Sequence, residues 1–387
     1  MAERNAVITG GGIGGLTAAL CLAKDNWNVL VLEQAATLGE AGAGIQLSPN
    51  CVSVLCHLGL GEALAESGFM PSGMEMRDAF SGRVLVQSKF GARYPWPYYH
   101  LHRADLLDIL LAAANASNRI TVQTGVQVAE FELRPGGVDI TLGAARLQAD
   151  LLVGADGIHS TVRERLFGSS PAQFTGHVAW RGLVSTDALP EGHIRPVATA
   201  WWGPGKHLVH YYVRQGDLVN CVCVVEKAGW EIESWVEQGD VAELREAYRG
   251  WHDDVLRLLD AVQPDELFKW ALFDRSPMPR WSEGHATLLG DACHATLPFL
   301  AQGAAMAIED AAVLARSLAM EPVVPLALRH YESVRKPRTT WVQRASRRNA
   351  RVYHMRGPGA QLRNIVAGFA GERVTEKLYR YDALATT

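Results

Sequence analysis

The chain lacks the features that mark membrane-spanning, secreted and nucleic-acid-binding proteins. Its 387 residues contain no apolar run that approaches the roughly 18 residues of a spanning helix. The formal charge is −4, with 37 Lys and Arg against 41 Asp and Glu, whereas a general nucleic-acid binder has a basic excess. The N-terminus lacks the layout of a secretory signal. These absences predict a cytoplasmic protein with neither a membrane nor a nucleic acid as its partner.

Cysteine is scarce, and its spacing excludes the usual zinc sites. The six cysteines are scattered, without the paired spacing that such sites require. We therefore predict no metal site and expect reduced thiols. Internal repeats and low-complexity tracts are also absent, so a chain of this length is predicted to form two or three domains with a substantial core.

The N-terminal segment has the pattern of a dinucleotide-binding unit. Residues 6–9 predict a buried strand, and the glycines that follow match G-x-G-x-x-G at the start of a predicted helix. The glycines permit a tight turn and close approach of a pyrophosphate, while unpaired N–H groups at the helix start attract phosphates. A glycine-rich turn without a ligand is the alternative. The predicted phosphate-binding residues are Gly10, Gly12, Ile13, Gly14 and Gly15.

A second predicted strand, over residues 28–32, ends at Glu33. This acid follows the glycine loop by the roughly 20 residues at which a carboxylate can bond a ribose hydroxyl. It would also repel a 2′-phosphate. Glu33 and the adjacent Gln34 are therefore predicted to bind the ribose side of the dinucleotide.

A second glycine-containing turn lies far along the chain. Residues 285–289 predict an apolar strand that ends on Gly290-Asp291. Many dinucleotides could bind the first loop. A second element far along the chain indicates a ligand that is bound by the protein at both of its halves. This favours FAD, with Asp291 beside its sugar-alcohol chain. A capping role for Asp291 is the simpler alternative.

Two further segments extend the pattern. Asp156-Gly157 follows a predicted buried strand, and Gly303-Ala304 lies at the start of a predicted helix. A helix N-terminus carries a partial positive charge that would stabilise an anionic reduced flavin. Alternatively, Asp156 only caps a turn and the helix only packs in the core.

The order of elements predicts an α/β protein in which a Rossmann-type FAD-binding domain is interleaved with a β-sheet substrate domain and followed by a C-terminal helical region. The basic stretch 335–356 contains no acidic residue, which indicates a solvated or subunit-contact helix that attracts anions. The predicted divisions are 1–73, 99–170 and 277–324 for the FAD-binding domain, 74–98 and 171–276 for the substrate domain, and 325–387 for the helical region.

With these motifs in place, the chain resembles the single-component flavin-dependent aromatic hydroxylases. That group includes para-hydroxybenzoate, salicylate, 3-hydroxybenzoate and 6-hydroxynicotinate hydroxylases. The likeness covers nearly the whole chain, and three separated motifs carry it: loop 10–15 with Glu33, Asp156-Gly157, and the segment from Gly290 to Ala304.

The resemblance implies a monooxygenase that reduces FAD with NADH or NADPH. Through a flavin C4a-hydroperoxide it would use O2 to hydroxylate a small phenolic or hydroxylated aromatic acid. The resemblance also implies that Arg103 contacts the flavin side of the pyrophosphate and that the backbone near Val128 contacts the adenine. Asp156 and Gly157 would serve both FAD and nicotinamide.

Residues 206–213 predict a strand that places His207 and Tyr211 on one face. These two match a His-x-x-x-Tyr pattern of the 3-hydroxybenzoate and 6-hydroxynicotinate hydroxylases, where such residues assist substrate deprotonation. Histidine suits that role because it titrates near neutrality. The alternative is a purely structural pair on a half-buried strand. Trp180-Arg181 and Trp201-Trp202 are further candidates for the pocket wall.

Departures from the resembling enzymes bear on the substrate. Gln46 stands where the 6-hydroxynicotinate enzymes carry histidine, and Pro298 stands where the 3-hydroxybenzoate 6-hydroxylases carry glutamine. Gln46, Tyr211 and Pro298 are predicted to contact the substrate, with a salicylate-like acid as first candidate and 3-hydroxybenzoate or an N-heteroaromatic as alternatives. The competing classes are a flavin dehydrogenase without oxygen insertion and a non-catalytic flavin-binding protein. A monomer or homodimer is expected.

Overall fold

Most of the strands lie in the first two thirds of the chain, and three long helices end it, in a computed structural model that describes residues 3–39, 44–227 and 237–386. The strands are β1 (Arg4–Thr9), β2 (Trp27–Glu33), β3 (Gly44–Leu47), β4 (Gly73–Asp78), β5 (Val84–Lys89), β6 (Tyr99–His102), β7 (Ile120–Thr124), β8 (Glu130–Arg134), β9 (Gly137–Leu142), β10 (Ala145–Ala149), β11 (Leu151–Gly154), β12 (Gln173–Ser185), β13 (Ala198–Gly203), β14 (Lys206–Val213), β15 (Leu218–Glu226), β16 (Leu267–Asp274), β17 (Ser282–Glu283) and β18 (Ala286–Leu288). The helices are α1 (Ile13–Lys24), α2 (Pro49–His57), α3 (Gly61–Ser67), α4 (Arg103–Ala116), α5 (Thr161–Phe167), α6 (Val241–Ala247), α7 (Asp253–Asp260), α8 (Asp291–His294), α9 (Gly303–Met320), α10 (Val324–Tyr353) and α11 (Gly357–Tyr379).

A six-stranded sheet carries both glycine turns. Its order is β17-β18-β11-β1-β2-β7, and every neighbouring pair is parallel except β17–β18. The central strands are continuous apolar runs, as expected where both faces of a parallel sheet are covered. Because β1, β11 and β18 are adjacent, the turns at Gly10, Asp156 and Gly290 follow the carboxyl ends of neighbouring strands. The predicted Rossmann-type α/β class is confirmed.

A seven-stranded sheet forms the second layer of the site. Its order is β16-β12-β15-β14-β13-β4-β5, with only β13–β4 parallel. One face packs on α6 and α7 in an apolar core, and the other faces the six-stranded sheet across a cavity. Both stretches predicted for the substrate domain contribute strands to it, while the division of the chain into domains stays a prediction.

Smaller elements complete the described part of the chain. A three-stranded sheet, β10-β9-β8, and a pair, β3-β6, flank the main sheets. The helix α10 packs along α9 and reaches back to the seven-stranded sheet. Among the described residues, no helix has the length and apolar character needed to cross a membrane.

The basic segment is not a solvated helix along its length. Arg335, on α10, lies 2.7 Å from Glu309 and 2.6 Å from Asp310, and all three side chains are 0% exposed. Arg338 also pairs with Glu309, at 2.6 Å. The prediction of a solvated helix is wrong for Arg335 and Arg338, because acidic residues on α9 neutralise their charges. The sequence of α10 alone does not show these partners, since they belong to another helix. Arg344, Arg348, Arg351 and Arg356 are exposed.

We call Glu309, Asp310, Arg335, Arg338 and His294 the buried ion cluster. The ring of His294 lies 2.5 Å from the Asp310 carboxylate. Burial raises the pKa of Asp310, but the charges of His294 and Arg335 outweigh burial and lower it to about 2. A carboxyl whose pKa is lowered in the folded state stabilises that state above its ordinary pKa. Its contribution is therefore lost as the pH falls from about 4 towards 2.

Arg335→Leu should lower the free energy of unfolding by about 3–5 kcal/mol, because it removes a buried cation that pairs with both Glu309 and Asp310. Arg344→Leu, at an exposed arginine of the same helix, should change it by less than about 0.5 kcal/mol. Urea denaturation of both variants at neutral pH measures the difference. Equal stabilities would contradict a structural role for the buried ion cluster.

Candidate active site

A cavity of about 1430 Å³ lies between the two main sheets. It brings together segments that are far apart in sequence: the first glycine loop, the turn at Gly157, the remote Gly290-Asp291 turn, the start of α9 and the face of β14. Of the predicted site residues, those that line it are Gly12, Ile13, Gly14, Gln46, Arg103, Gly157, His207, Tyr211, Asp291, Pro298, Gly303 and Ala304.

The first glycine loop has two closely packed positions and one open position. Gly10 has φ of +100°, and a Cβ there would lie 2.4 Å from the carbonyl oxygen of Ala155. A Cβ at Gly15 would lie 2.0 Å from the carbonyl oxygen of Gly10. At Gly12 a Cβ would meet nothing within 4 Å, and α1 begins at the next residue without a side-chain cap. The loop therefore leaves space and unpaired helix N–H groups where an anion can approach.

The end of β2 lies at the edge of this loop, outside the cavity lining. The Glu33 carboxylate accepts hydrogen bonds from the N–H groups of Gly11, at 2.7 Å, and Ala35, at 2.8 Å. Gln34 is exposed beside it. The segment leading to the buried Val128 is attached here, since the N–H of Val126 donates to the carbonyl of Glu33 at 2.9 Å. Glu33, Gln34 and the Val128 segment thus occupy one end of the site.

The remote turn is held by the buried ion cluster. Gly290 has φ of +66°, and its N–H donates to Asp310 at 3.1 Å. Asp291 then begins α8 with an exposed side chain. Arg103, at the start of α4, interacts electrostatically with Asp291. Burial lowers the pKa of Arg103, and the negative charge of Asp291 opposes that shift. A cation and an anion from distant segments therefore meet at the cavity.

One carboxylate oxygen of Asp156 caps a turn, which was the simpler alternative, and the other oxygen takes no part in that capping. Its Oδ2 accepts from the N–H groups of Thr161, at 2.8 Å, and Val162, at 3.3 Å. Its Oδ1 is buried without a hydrogen-bond partner among the described residues, and burial raises the pKa of the carboxyl. An unmatched buried acceptor beside Gly157 suits a ligand with a polar hydrogen.

The strand β14 alternates as its sequence indicates. His207, Val209 and Tyr211 line the cavity, whereas His210 faces the opposite core and accepts from the indole N–H of Trp201 at 3.1 Å. The same alternation divides the tryptophan pairs. Arg181 and Trp202 line the cavity, and Trp180 and Trp201 belong to the core under α6 and α7.

The three predicted substrate contacts, Gln46, Tyr211 and Pro298, all line the cavity. Gln46 accepts a hydrogen bond from the hydroxyl of Tyr98 at 2.6 Å. Pro298 begins a short 3₁₀ turn in the cavity wall. Burial raises the pKa of Tyr211, so its hydroxyl stays protonated.

Two ionisable residues of the site were not predicted from the sequence. His354, at the end of α10, has its Nε2 2.7 Å from Nδ1 of His207, and its own Nδ1 is 3.2 Å from Glu226. Burial, followed by the neighbouring histidines, lowers the pKa of His207 well below its ordinary value of 6.5. No local pattern marks His354 or Glu226, because their only connection to His207 is through space.

A family model described as the FAD binding domain matches residues 3–346. The chain is 40% identical to the 3-amino-4-hydroxybenzoate 2-monooxygenase PtnB3 of Streptomyces platensis, over 92% of this chain and 90% of that protein. It is 35% identical to 3-hydroxybenzoate 6-hydroxylase 1 of Aquipseudomonas alcaligenes, over 95% and 94%. A solved salicylate hydroxylase in complex with its substrate superposes with a TM-score of 0.85 at 27% identity, covering 98% of this chain and 96% of that one.

The residues present fit FAD. The cavity runs from the open position at Gly12 to the face of β14, so it can take a long ligand. One cavity-lining residue, Thr296, has a buried Oγ1 with no partner among the described residues. The similarly unmatched Oδ1 of Asp156 belongs to the residue between the lining residues Ala155 and Gly157. The helix starts at Ile13 and Gly303 both lack side-chain caps, which leaves N–H groups for phosphate and for an electron-rich ring edge.

Gly12→Ala should keep the fold and lose the cofactor, because its Cβ occupies open space that the phosphates need. We expect an unchanged melting temperature of the apoprotein and a tenfold or larger rise in Kd for FAD, about 1.4 kcal/mol. Gly15→Ala, whose Cβ would press on the backbone of Gly10, should instead lower the melting temperature. Flavin fluorescence quenching and thermal melts measure the two effects. Unaltered FAD affinity in Gly12→Ala would contradict the placement of the phosphates.

Proposed function

Because the chain belongs to the FAD binding domain family and is a flavin-dependent aromatic monooxygenase, we propose that its substrate is a small hydroxylated aromatic acid. The enzyme uses FAD, NADH or NADPH, and O2. When bound and reduced by the nicotinamide, FAD would activate O2, the source of the oxygen atom that enters the ring. The observation that supports this substrate class is the half-buried cation Arg181, which lies near Tyr211 on a mainly apolar cavity wall that also carries His207.

We assign the cofactor as follows. Its phosphates would lie at the first glycine loop and Arg103, its ribose at the end of β2, its adenine near Val128 and its sugar-alcohol chain at Asp291. The start of α9 would face the flavin ring, and the Asp156-Gly157 turn would serve FAD and the visiting nicotinamide. The assigned residues are Gly10, Gly12, Ile13, Gly14, Gly15, Glu33, Gln34, Arg103, Val128, Asp156, Gly157, Asp291, Gly303 and Ala304.

Arg181 is the residue that favours an acid over a neutral phenol. Its guanidinium lies 4.3 Å from the centre of the Trp270 ring, which fixes its position. Burial lowers the pKa of Arg181 to about 10, so the side chain stays charged at neutral pH. A planar guanidinium in a buried site binds a carboxylate with strong, charge-assisted hydrogen bonds.

His207 and Tyr211 would act on the hydroxyl of the same ring. The lowered pKa of His207 keeps its ring neutral at neutral pH, so one nitrogen can accept the proton of that hydroxyl. Tyr211 keeps its proton and can donate a hydrogen bond to the resulting phenolate. Deprotonation raises the electron density of the ring, which is what hydroxylation requires. Gln46 and Pro298, which also line the cavity, would contact the substrate as well.

The first candidate substrate is a salicylate-like acid, and 3-hydroxybenzoate, 3-amino-4-hydroxybenzoate and 6-hydroxynicotinate are the alternatives to screen. The holoenzyme is mixed with each acid under 18O2, and NADH and NADPH oxidation and the product mass are measured. We expect one acid to stimulate oxidation and to gain one labelled oxygen. Stimulated oxidation without a labelled product would favour the dehydrogenase alternative, and no oxidation with any acid would favour a flavin-binding protein.

We also propose that the enzyme works in the cytoplasm, as a monomer or homodimer. The support is that all six cysteines are free thiols and none is fully exposed, as expected in a reducing compartment. Sedimentation of the native enzyme and fractionation of cells test the two statements, and a larger assembly or a different compartment would contradict them.

His207→Ala should lower kcat on the order of 100-fold, because it removes the base, and Tyr211→Phe about 10-fold, because it removes one hydrogen bond. The neutral form of His207 is lost only as the pH falls below its ordinary 6.5, so the wild-type rate should fall on the acid side alone. That acid limb should disappear in His207→Ala. Unchanged turnover and an unchanged pH profile in both variants would contradict the assignment.

Arg181→Met should raise KM for the acid substrate about 10- to 100-fold, the size of a lost charge-assisted hydrogen bond, with a smaller change in kcat. The corresponding neutral phenol should show no such change, and Arg351→Met, at an exposed arginine, serves as the control. Steady-state kinetics with both ligands measures the contrast. Equal effects on the acid and the neutral phenol would rule out Arg181 as the carboxylate site.

A further inference from the structure

A chain of hydrogen bonds leads from the cavity to the protein surface. His207 lines the cavity, and its Nδ1 lies 2.7 Å from Nε2 of His354. Nδ1 of His354 lies 3.2 Å from Oε1 of Glu226, whose side chain is 42% exposed. Both imidazoles are buried, so Glu226 is the point at which this chain reaches solvent.

The hydrogen-bond chemistry fixes which nitrogen carries each proton. An ionised carboxylate only accepts, so Nδ1 of His354 must donate to Glu226. Nε2 of the neutral His354 ring then holds a lone pair and accepts from Nδ1–H of His207. The remaining nitrogen of His207, Nε2, is therefore unprotonated. With Nδ1 engaged by His354, Nε2 is the nitrogen left to meet a molecule in the cavity.

We propose that His354 and Glu226 hold His207 in this tautomer and carry the proton that it takes from the substrate hydroxyl to the surface. This inference rests on the proposed role of His207. The substrate O–H bond breaks and its proton binds Nε2 of His207, while the Nδ1 proton of His207 passes to Nε2 of His354. The Nδ1 proton of His354 passes to Glu226 and then to water. One proton leaves to water, and one negative charge stays on the substrate. When the same transfers run in reverse, both imidazole rings return to their starting tautomers.

The surroundings of the two rings explain why a relay suits this site better than a lone base. His177 from β12, Glu226 from β15 and Arg356 after α10 are the ionisable groups that act on His354, and His177 also acts on His207. Burial first, then the charge of His177, lowers the pKa of His354 to about 4. An imidazolium would be costly at either position. A transfer that ends on the exposed carboxylate leaves both rings neutral.

The test measures proton transfer in the oxidised holoenzyme, before any turnover. Rapid mixing with 3-hydroxybenzoate in weak buffer follows the ultraviolet absorbance of the phenolate and, with a pH indicator, the released proton. The variants are Glu226→Gln, His354→Gln and His207→Gln, with Glu132→Gln on the exposed strand β8 as the control. Flavin content and melting temperature establish that each variant is folded, and Glu226→Gln alters only an exposed side chain.

We expect Glu226→Gln and His354→Gln to slow phenolate formation and proton release on the order of 10- to 100-fold while leaving the Kd of the ligand nearly unchanged. The control should behave like the wild type. Wild-type rates in Glu226→Gln or in His354→Gln, with slow transfer in His207→Gln, would overturn the relay and leave the proposed function standing. Wild-type rates in all three variants, or no bound phenolate in the wild type, would instead contradict the role of His207 itself.

Discussion

The pairing of buried charges on α9 and α10 is the constraint on which the site depends. Glu309 accepts a hydrogen bond from Asn50 at 2.6 Å, and Asn50 in turn binds Gln302, the residue that precedes α9. Asp310 accepts from the N–H of Gly290 at the remote turn. Because unpaired charges in a protein interior are very costly, these acids and their arginines can meet in few arrangements. The arrangement that they adopt places both the remote turn and the start of α9 on the cavity.

The chemistry is divided between the two main sheets. The parallel sheet ends in turns whose backbone N–H groups, glycines and one unmatched carboxylate oxygen suit a long anionic cofactor. The seven-stranded sheet offers a mainly apolar wall with a few polar groups at defined places, Arg181, His207 and Tyr211. Under the proposed assignment neither sheet is sufficient alone, because the reacting ring would meet the flavin at the boundary between them.

What could be predicted from the sequence was determined locally. Gly10 and Gly15 could be predicted because a tight turn and a close packing contact require glycine. The two faces of β14 could be predicted because successive side chains of a strand point to opposite faces. His354 and Glu226 were not, since 128 residues separate them and only tertiary packing joins them. Arg335 and Arg338 of α10 were misjudged for the same reason: their acidic partners lie on α9. The resemblance to aromatic hydroxylases is confirmed, and it required only motif order.

The flavin content of the native protein reports whether one FAD is held by both the first glycine loop and the remote turn. The protein is reconstituted with excess FAD, freed of unbound cofactor by gel filtration, and examined by its visible absorbance against its protein concentration. The account predicts one FAD per chain with the absorbance of a bound oxidised flavin. A protein that stays colourless after this treatment would contradict it.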